Sequence, residues 1–284
     1  MTNTDNQNWD LVIKPKTGWF DIHLGELLRY RELIFLFVRR DFVTFYKQTI
    51  LGPLWYIIQP LVNSVIFTII FNKVANIPTD GIPPFIFYMS GTVAWSYFAT
   101  CLTGTSNVFG ANAGIFGKVY FPRLTVPISL VITGLFQFLI QFIVFLGFFL
   151  YFMWQGADLK PNYLIFTLPL VLLQMAVLGL GVGILVSSLV TKYRDLTFAM
   201  GFAVQIWMYL TPIVYPLSQV PEKYRMLYVI NPMASIVELF RASFFGVSSI
   251  EPVHVIISVI ITLLVFVAGI IMFSRLEKTF MDTV

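Results

Sequence analysis

The sequence predicts an all-α membrane protein with six transmembrane helices and both termini in the cytoplasm. It also predicts an N-terminal amphipathic interfacial helix and an external re-entrant hairpin before the last span. Three observations carry this reading. Of 284 residues, 58% are apolar and 11% charged, with a mean hydropathy of +0.82; soluble domains average about 25% charged, so water cannot solvate the outside of a compact packing of this chain. Charge-free runs cover Gln48 to Asn72, Gly81 to Gly117, Leu124 to Ala157, Pro161 to Thr191, Leu196 to Pro221 and Pro252 to Ser274. Each exceeds the roughly 20 residues that take a helix across about 30 Å of hydrocarbon. Finally, an N-terminus inside places thirteen of the eighteen Lys and Arg residues on the cytoplasmic side, leaving Lys73, Lys160, Lys223, Arg225 and Arg241 outside, as the positive-inside rule requires. Continuous apolar runs without a ten-residue alternation exclude a membrane barrel.

Residues 1–52 read as a cytoplasmic tail and interfacial helix, and 53–284 as the six-span domain, with spans at about 53–72, 85–105, 127–153, 162–190, 196–215 and 252–274. The first 47 residues are polar and charged and contain no short apolar region of the secretory-signal type. From Phe20, apolar residues recur at Leu24, Leu27, Leu28, Phe35, Val38, Phe42 and Phe45, while Arg29, Arg39, Arg40 and Lys47 fall elsewhere. That spacing gives a helix with one oily and one cationic face, suited to anionic headgroups or to a soluble partner. Pro53 suits a first helical turn and Pro60 a kink. The second span ends near Thr105, Gly110 to Arg123 is a short cytoplasmic segment, and Pro127 restarts the third span. Gly179 and Gly183 in the fourth span form a small face for close helix contact. Tyr224 to Ile230 and Met233 to Phe245, broken at Asn231-Pro232, are too short to cross and make the hairpin; within it Glu238 and Arg241 sit three apart and pair on one face.

The single cysteine, Cys101, and the two histidines, His23 and His254, supply neither a disulfide framework nor a four-cysteine zinc site. The charge of +4 is too small to imply nucleic acid. No nucleotide-binding P-loop, H-E-x-x-H or G-x-S-x-G motif occurs, so this chain does not hydrolyse ATP by itself. The spans hold no Asp, Glu, Lys or Arg, which disfavours proton coupling; any energy for movement comes from another chain. The polar residues within the spans are Asn63, Ser64, Gln137, Gln141, Gln174 and Gln205, either as interhelical hydrogen-bonding groups or as path lining. Trp55, Tyr56, Tyr88, Trp95, Tyr97, Trp207, Tyr209 and Tyr215 pair a flat apolar face with a polar edge. They suit either sliding sugar rings or an interfacial aromatic belt.

One set of residues resembles a known family. Arg39-Arg40-Asp41, Tyr46-Lys47-Gln48-Thr49 and Leu51-Gly52-Pro53-Leu54-Trp55 precede the first span. Lys118-Val119-Tyr120-Phe121-Pro122-Arg123 follows the second, then Tyr193-Arg194-Asp195, Thr211-Pro212-Ile213-Val214-Tyr215-Pro216, Asn231-Pro232-Met233 and Phe240-Arg241. In this order they resemble the membrane-spanning permease of bacterial ATP-binding-cassette exporters for lipid-linked polysaccharide such as O-antigen, capsule or teichoic acid. The resemblance implies a multi-pass protein of the bacterial cytoplasmic (inner) membrane that is not itself an enzyme. Two copies would form the path, with two copies of a separate ATPase that holds ATP and magnesium; this chain would carry no cofactor. It further implies contact with the ATPase through about Asn112 to Arg123, with Ile115, Phe116 and Tyr120 as knobs and Lys118 and Arg123 as polar anchors, and through Tyr193, Arg194 and Asp195. The aromatics named above would then line the glycan path. A small-molecule exporter would share the fold; a membrane-embedded enzyme of glycolipid assembly would need an acid, base or metal cluster the sequence lacks; a non-transporting scaffold stands as a third alternative.

Overall fold

The computed structural model describes residues 24–47, 51–52, 54–193, 195–246 and 251–283. Its elements are all helical among the described residues. Short α1 (Leu24–Arg29) leads into α2 (Arg31–Lys47). Then α3 (Leu54–Phe67), which contains Pro60, continues as a π-helical stretch, Thr68–Val74. Next come α4 (Pro84–Ser106), α5 (Val108–Phe116), α6 (Thr125–Trp154), a 3₁₀ turn at Tyr163–Thr167 and α7 (Leu168–Lys192). The chain finishes with α8 (Leu196–Tyr209), α9 (Glu222–Ile230), α10 (Pro232–Phe245) and α11 (Pro252–Thr283). Phe20 and the polar tail lie outside the described residues, as do Pro53 and Arg194.

Among the described residues, five helical stretches are long and apolar enough to cross a membrane: Leu54–Val74, Pro84–Ser106, Thr125–Trp154, Tyr163–Lys192 and Pro252–Arg275. The sixth run differs. Where a span was expected at 196–215, α8 stops after 14 residues, which cover about 21 Å at about 1.5 Å each, and the chain turns through Thr211 to Pro216. Pro212 has no N–H with which to continue the helix, and Arg241 holds the break open. Its Nη1 donates to the Pro212 carbonyl at 2.5 Å and its Nη2 to the Ile213 carbonyl at 2.8 Å. A buried guanidinium thus takes up carbonyls beyond the end of α8, in place of another helical turn.

The helix α4 is the hub, packing on α3, α6, α7, α8 and α10, and it is buried on nearly every face. Glycine makes its closest contact possible. A Cβ on Gly179 would approach Cys101 Cβ at 2.6 Å and Phe98 O at 3.2 Å, and one on Gly183 would overlap Thr105 Oγ1. The ascending pairs 179 with 98 and 101, and 183 with 105, mean that α4 and α7 run parallel and end together. Gly181, between them, faces the other way, where a Cβ would stand 2.8 Å from Phe266 Cα of α11. The Gly179, Gly181, Gly183 run therefore lets α7 fit between two helices, extending the small-residue face expected from sequence.

The two ends of the bundle are built differently. At the end where α4 and α7 finish, a second aromatic core of Phe37, Phe109, Phe116, Phe121 and Phe273 joins α2, α5 and α11. At the other end, α10 is buried along almost its whole length. It is tied by Asn162 Nδ2 donating to Ala242 O at 3.1 Å, while α9 lies over it with no buried residue. Within the stretch expected as a hairpin, Leu217 to Glu251, two helices are broken at Asn231-Pro232, and Asn231 caps the second by accepting from Met233 N at 3.1 Å.

Candidate functional site

The functional face follows from where the polar residues of the apolar helices point. On α11, Ser258 and Thr262 are buried, and Gln174 Nε2 donates to Ser258 Oγ at 2.7 Å. Gln141 is buried against Ser96, which donates to it. Ser64 Oγ meets Thr92 Oγ1 at 3.2 Å. These residues hold helix to helix, as amides and hydroxyls do in an apolar medium. On α3 and α8 the polarity is reversed. Asn63 and Gln205 are exposed, and so is Gln59, which the sequence reading passed over. Trp55, Gln59 and Asn63 recur at four-residue steps and share one face of α3. On α8, Phe198, Phe202, Gln205 and Tyr209 share another, with Phe198 at 82% exposure and Phe202 at 72%. No residue of α8 is buried.

The eight aromatic candidates therefore separate. Trp55 and Tyr209 are on the open faces. Tyr56 is half-buried on α3. Tyr88, Trp95 and Tyr97 are in the core around α4, at 0%, 6% and 3% exposure, so within one protomer they cannot line a path. Trp207 lies opposite Tyr209 around α8; its ring meets Phe98 edge-on at 5.0 Å and Trp95 at 6.4 Å. Tyr215 faces the hairpin, donating to Tyr209 O at 3.0 Å.

A second candidate surface lies at the other end, between α5 and α6. Phe116 and Phe121 are both buried, their rings 5.8 Å apart, and Phe121 also meets Phe37 at 5.7 Å. Between these two anchors the chain projects Lys118, Val119 and Tyr120, all exposed, with Val119 at 60% and Tyr120 at 51%. Lys118 N and Val119 N both donate to Ile115 O, at 3.1 and 3.2 Å, so the tip is fixed. Phe116 was expected as a knob; its ring is instead spent inside the protein, and the outward apolar group missed by the sequence reading is Val119. Ile115 is partly buried on the same core, and the Arg123 guanidinium lies 5.6 Å from the centre of the Phe116 ring. Tyr193 and Asp195, following α7, are exposed; since α4 and α7 end together, both loops occupy one end of the bundle.

The segment linking α8 to α10 is organised by Arg241. Besides the two carbonyls, its Nε donates to Ser90 Oγ at 3.3 Å, its Nη1 lies 3.3 Å from Glu238 Oε1, and its guanidinium stacks 3.7 Å from the Phe87 ring centre. Burial pushes the Arg241 pKa down to about 10 while Glu238 opposes that shift; burial raises Glu238 above its ordinary range, with Arg241 pulling it back. The pair expected from sequence is thus present, and it fastens α10 to α4.

A family model described as ABC-2 type transporter matches residues 32–245, from α2 to the end of α10. The chain belongs to the ABC-2 type transporter family. Among relatives, the chain is 29% identical over 255 residues to an "O-antigen export system permease protein RfbA" of Klebsiella pneumoniae, covering 88% of this chain and 94% of that one. A protein of the same name from Myxococcus xanthus is 27% identical over 258 residues, covering 89% and 96%. The "Polysialic acid transport protein KpsM" of Escherichia coli is 22% identical over 213 residues, covering 74% and 79%. This ABC-2 chain is a membrane permease component, and both kinds of surface described above lie within the matched span.

Proposed function

We propose that this ABC-2 permease is the transmembrane subunit of an ATP-driven exporter that moves a lipid-linked polysaccharide out of the cytoplasm across the cytoplasmic membrane, as a homodimer with two separate ATPase subunits. The observation that carries the reading is the outward stripe of Trp55, Gln59 and Asn63 on α3 with Phe198, Phe202, Gln205 and Tyr209 on α8. Exposed amides among aromatics are costly against lipid and useful against a polyhydroxylated chain or a second protein copy. Two copies meeting along these faces would enclose a path of flat rings and amides. Sugar rings slide on such a surface without a strong binding minimum. The names of the relatives agree with the substrate class.

In this account the tip Lys118, Val119 and Tyr120, with Tyr193 and Asp195, receives the ATPase, which supplies ATP and magnesium. The termini lie on the same side of the membrane as the ATPase. Because Phe116 and Phe121 root the tip in the aromatic core shared with α2 and α11, a push on it moves the bundle end as a lever. The test is replacement of Gln59, Asn63 and Gln205 together by Leu. Membrane insertion and ATPase binding should be retained while glycan export falls several-fold; unchanged export would refute the assignment of this face.

A further inference from the structure

A cleft of about 790 Å³ opens at the hairpin end, on the opposite side of α8 from the stripe just described. Trp207, Tyr215, Tyr224 and Tyr228 contribute to its walls, as do the amide side chains of Asn76 and Gln219, and no lining residue is charged. This neutrality is local, since Asp80, Glu222, Lys223 and Arg225 all lie nearby in the chain. Its size falls within the roughly 300–1,000 Å³ usual for small-ligand sites.

Three of the four aromatic rings are locked by their polar edges. Trp207 Nε1 donates to Asn231 Oδ1 at 2.9 Å. The Tyr215 hydroxyl gives its proton to Tyr209 O, so the 2.7 Å contact between Tyr215 and Tyr228 is donated by Tyr228. Their two rings stand at 87°. Asn231 has no capacity left, because its Oδ1 accepts from Trp207 and Met233 N while its Nδ2 donates to Leu210 O and Thr211 Oγ1. It positions the wall and does not bind. The groups with spare hydrogen-bonding capacity are different ones: among the described residues, no hydrogen bond engages the side-chain amides of Asn76 and Gln219 or the Tyr224 hydroxyl. Fixed ring faces with free amides at the rim suit a ligand that has apolar faces, many hydroxyls and no charge. Pre-fixed rings also lose little entropy on binding.

We propose that this cleft is a binding site for neutral pyranose rings, one per protomer, where the emerging glycan is held after it leaves the α3 and α8 path. The proposal rests on the export reading for its substrate class, but it assigns a site that the path itself does not need.

The test uses the full chain with its ATPase in cells that make the lipid-linked glycan. A photoreactive benzoyl-phenylalanine is placed at Gln219, at Tyr209 on the open path, or at Leu263 on the aliphatic face of α11. Adducts are scored by sensitivity to periodate, which cleaves sugar diols and spares lipid. The expected result is a periodate-sensitive ladder at 219 and 209 and none at 263. The Tyr224→Ala variant should lower the 219 signal roughly tenfold, equivalent to about 1.4 kcal/mol, leaving 209 unchanged, while Tyr224→Phe, which keeps the ring and loses only the free hydroxyl, should lower it less. Glycan adducts at 209 without any at 219 would overturn the cleft and leave the export reading standing. Periodate-resistant lipid or protein adducts at 219 would also overturn it. Absence of glycan adducts at both 209 and 219 would overturn site and export reading together.

Discussion

The helices α11 and α8 are both apolar, yet they turn their polar residues in opposite directions. On α11 the outward residues are aliphatic: Ile256, Val259, Ile260, Leu263, Leu264 and Val267. Its Ser258 and Thr262 face inward to Gln174. On α8, Gln205 and Tyr209 face outward with Phe198 and Phe202, and the half-buried Trp207 is tied inward to Asn231. The first arrangement is what hydrocarbon selects, since the Ser258 and Thr262 hydroxyls are satisfied inside the protein. The second leaves amides outside, which lipid does not tolerate cheaply. The contrast teaches that in a membrane protein the destination of a helix face is read from its amides and not from its apolar content.

The largest expected effect probes how α8 is held short. Replacing Arg241 with Met leaves Glu238 buried without its partner and orphans the Pro212 and Ile213 carbonyls; breaking such a buried pair costs about 3–5 kcal/mol, measurable as loss of thermal stability in detergent. The double variant with Glu238→Gln should recover part of it. A pH dependence follows from the same pair. Burial holds Glu238 above its ordinary value of 4.5, so the folded state keeps a proton that the unfolded chain releases. Its contribution to stability is complete below about 4.5 and is lost as pH rises through the folded value. Glu238→Gln should flatten the unfolding curve in that window.

A middle-sized effect separates the tip from its roots. Tyr120→Asp should leave the chain folded and abolish stimulation of the partner ATPase in a reconstituted complex. Phe116→Asp, by burying a charge in the aromatic core, should lower stability by several kcal/mol before any effect on coupling is read. If Tyr120→Asp left hydrolysis unchanged, the coupling surface would lie elsewhere. The smallest effect concerns Tyr88, whose buried hydroxyl has no hydrogen-bond partner among the described residues. Tyr88→Phe should be neutral or slightly stabilising, since removing an unsatisfied group costs nothing, and should leave export intact. A drop in export would return Tyr88 to the path and break the division between core and open face.

Much of the architecture was legible because hydrocarbon imposes a length on apolar helices, so charge-free runs located five of the crossing stretches to within a few residues. The sixth run carries a helix of only 14 residues that stops just before Thr211-Pro212, a break the sequence itself offers; what no local pattern announces is that Arg241, thirty residues downstream, takes up the Pro212 and Ile213 carbonyls. The glycine spacing of α7 did foretell close packing, since only glycine permits it. The aromatic candidates were not separable by sequence, because Tyr88 and Tyr209 have the same chemistry and differ only in whether α4 or open space receives them. The signal that would have helped was the amide register, Gln59 and Asn63 one turn apart beneath Trp55. Phe116 was placed outward because its motif lies in a loop, but a loop tip needs anchors, and the alternation of buried Phe116 and Phe121 around Tyr120 supplies them.

The most direct test of the central claim asks whether water reaches the stripe on α3. Asn63→Cys and Leu263→Cys are compared in membranes containing the assembled transporter, using a water-soluble, membrane-impermeant maleimide; the native Cys101 is buried. The account predicts that the thiol at 63 is labelled, that its labelling changes when ATP is supplied, and that the thiol at 263 stays unlabelled. Equal protection of both positions, with and without ATP, would mean that the α3 face is covered by lipid and would contradict the account.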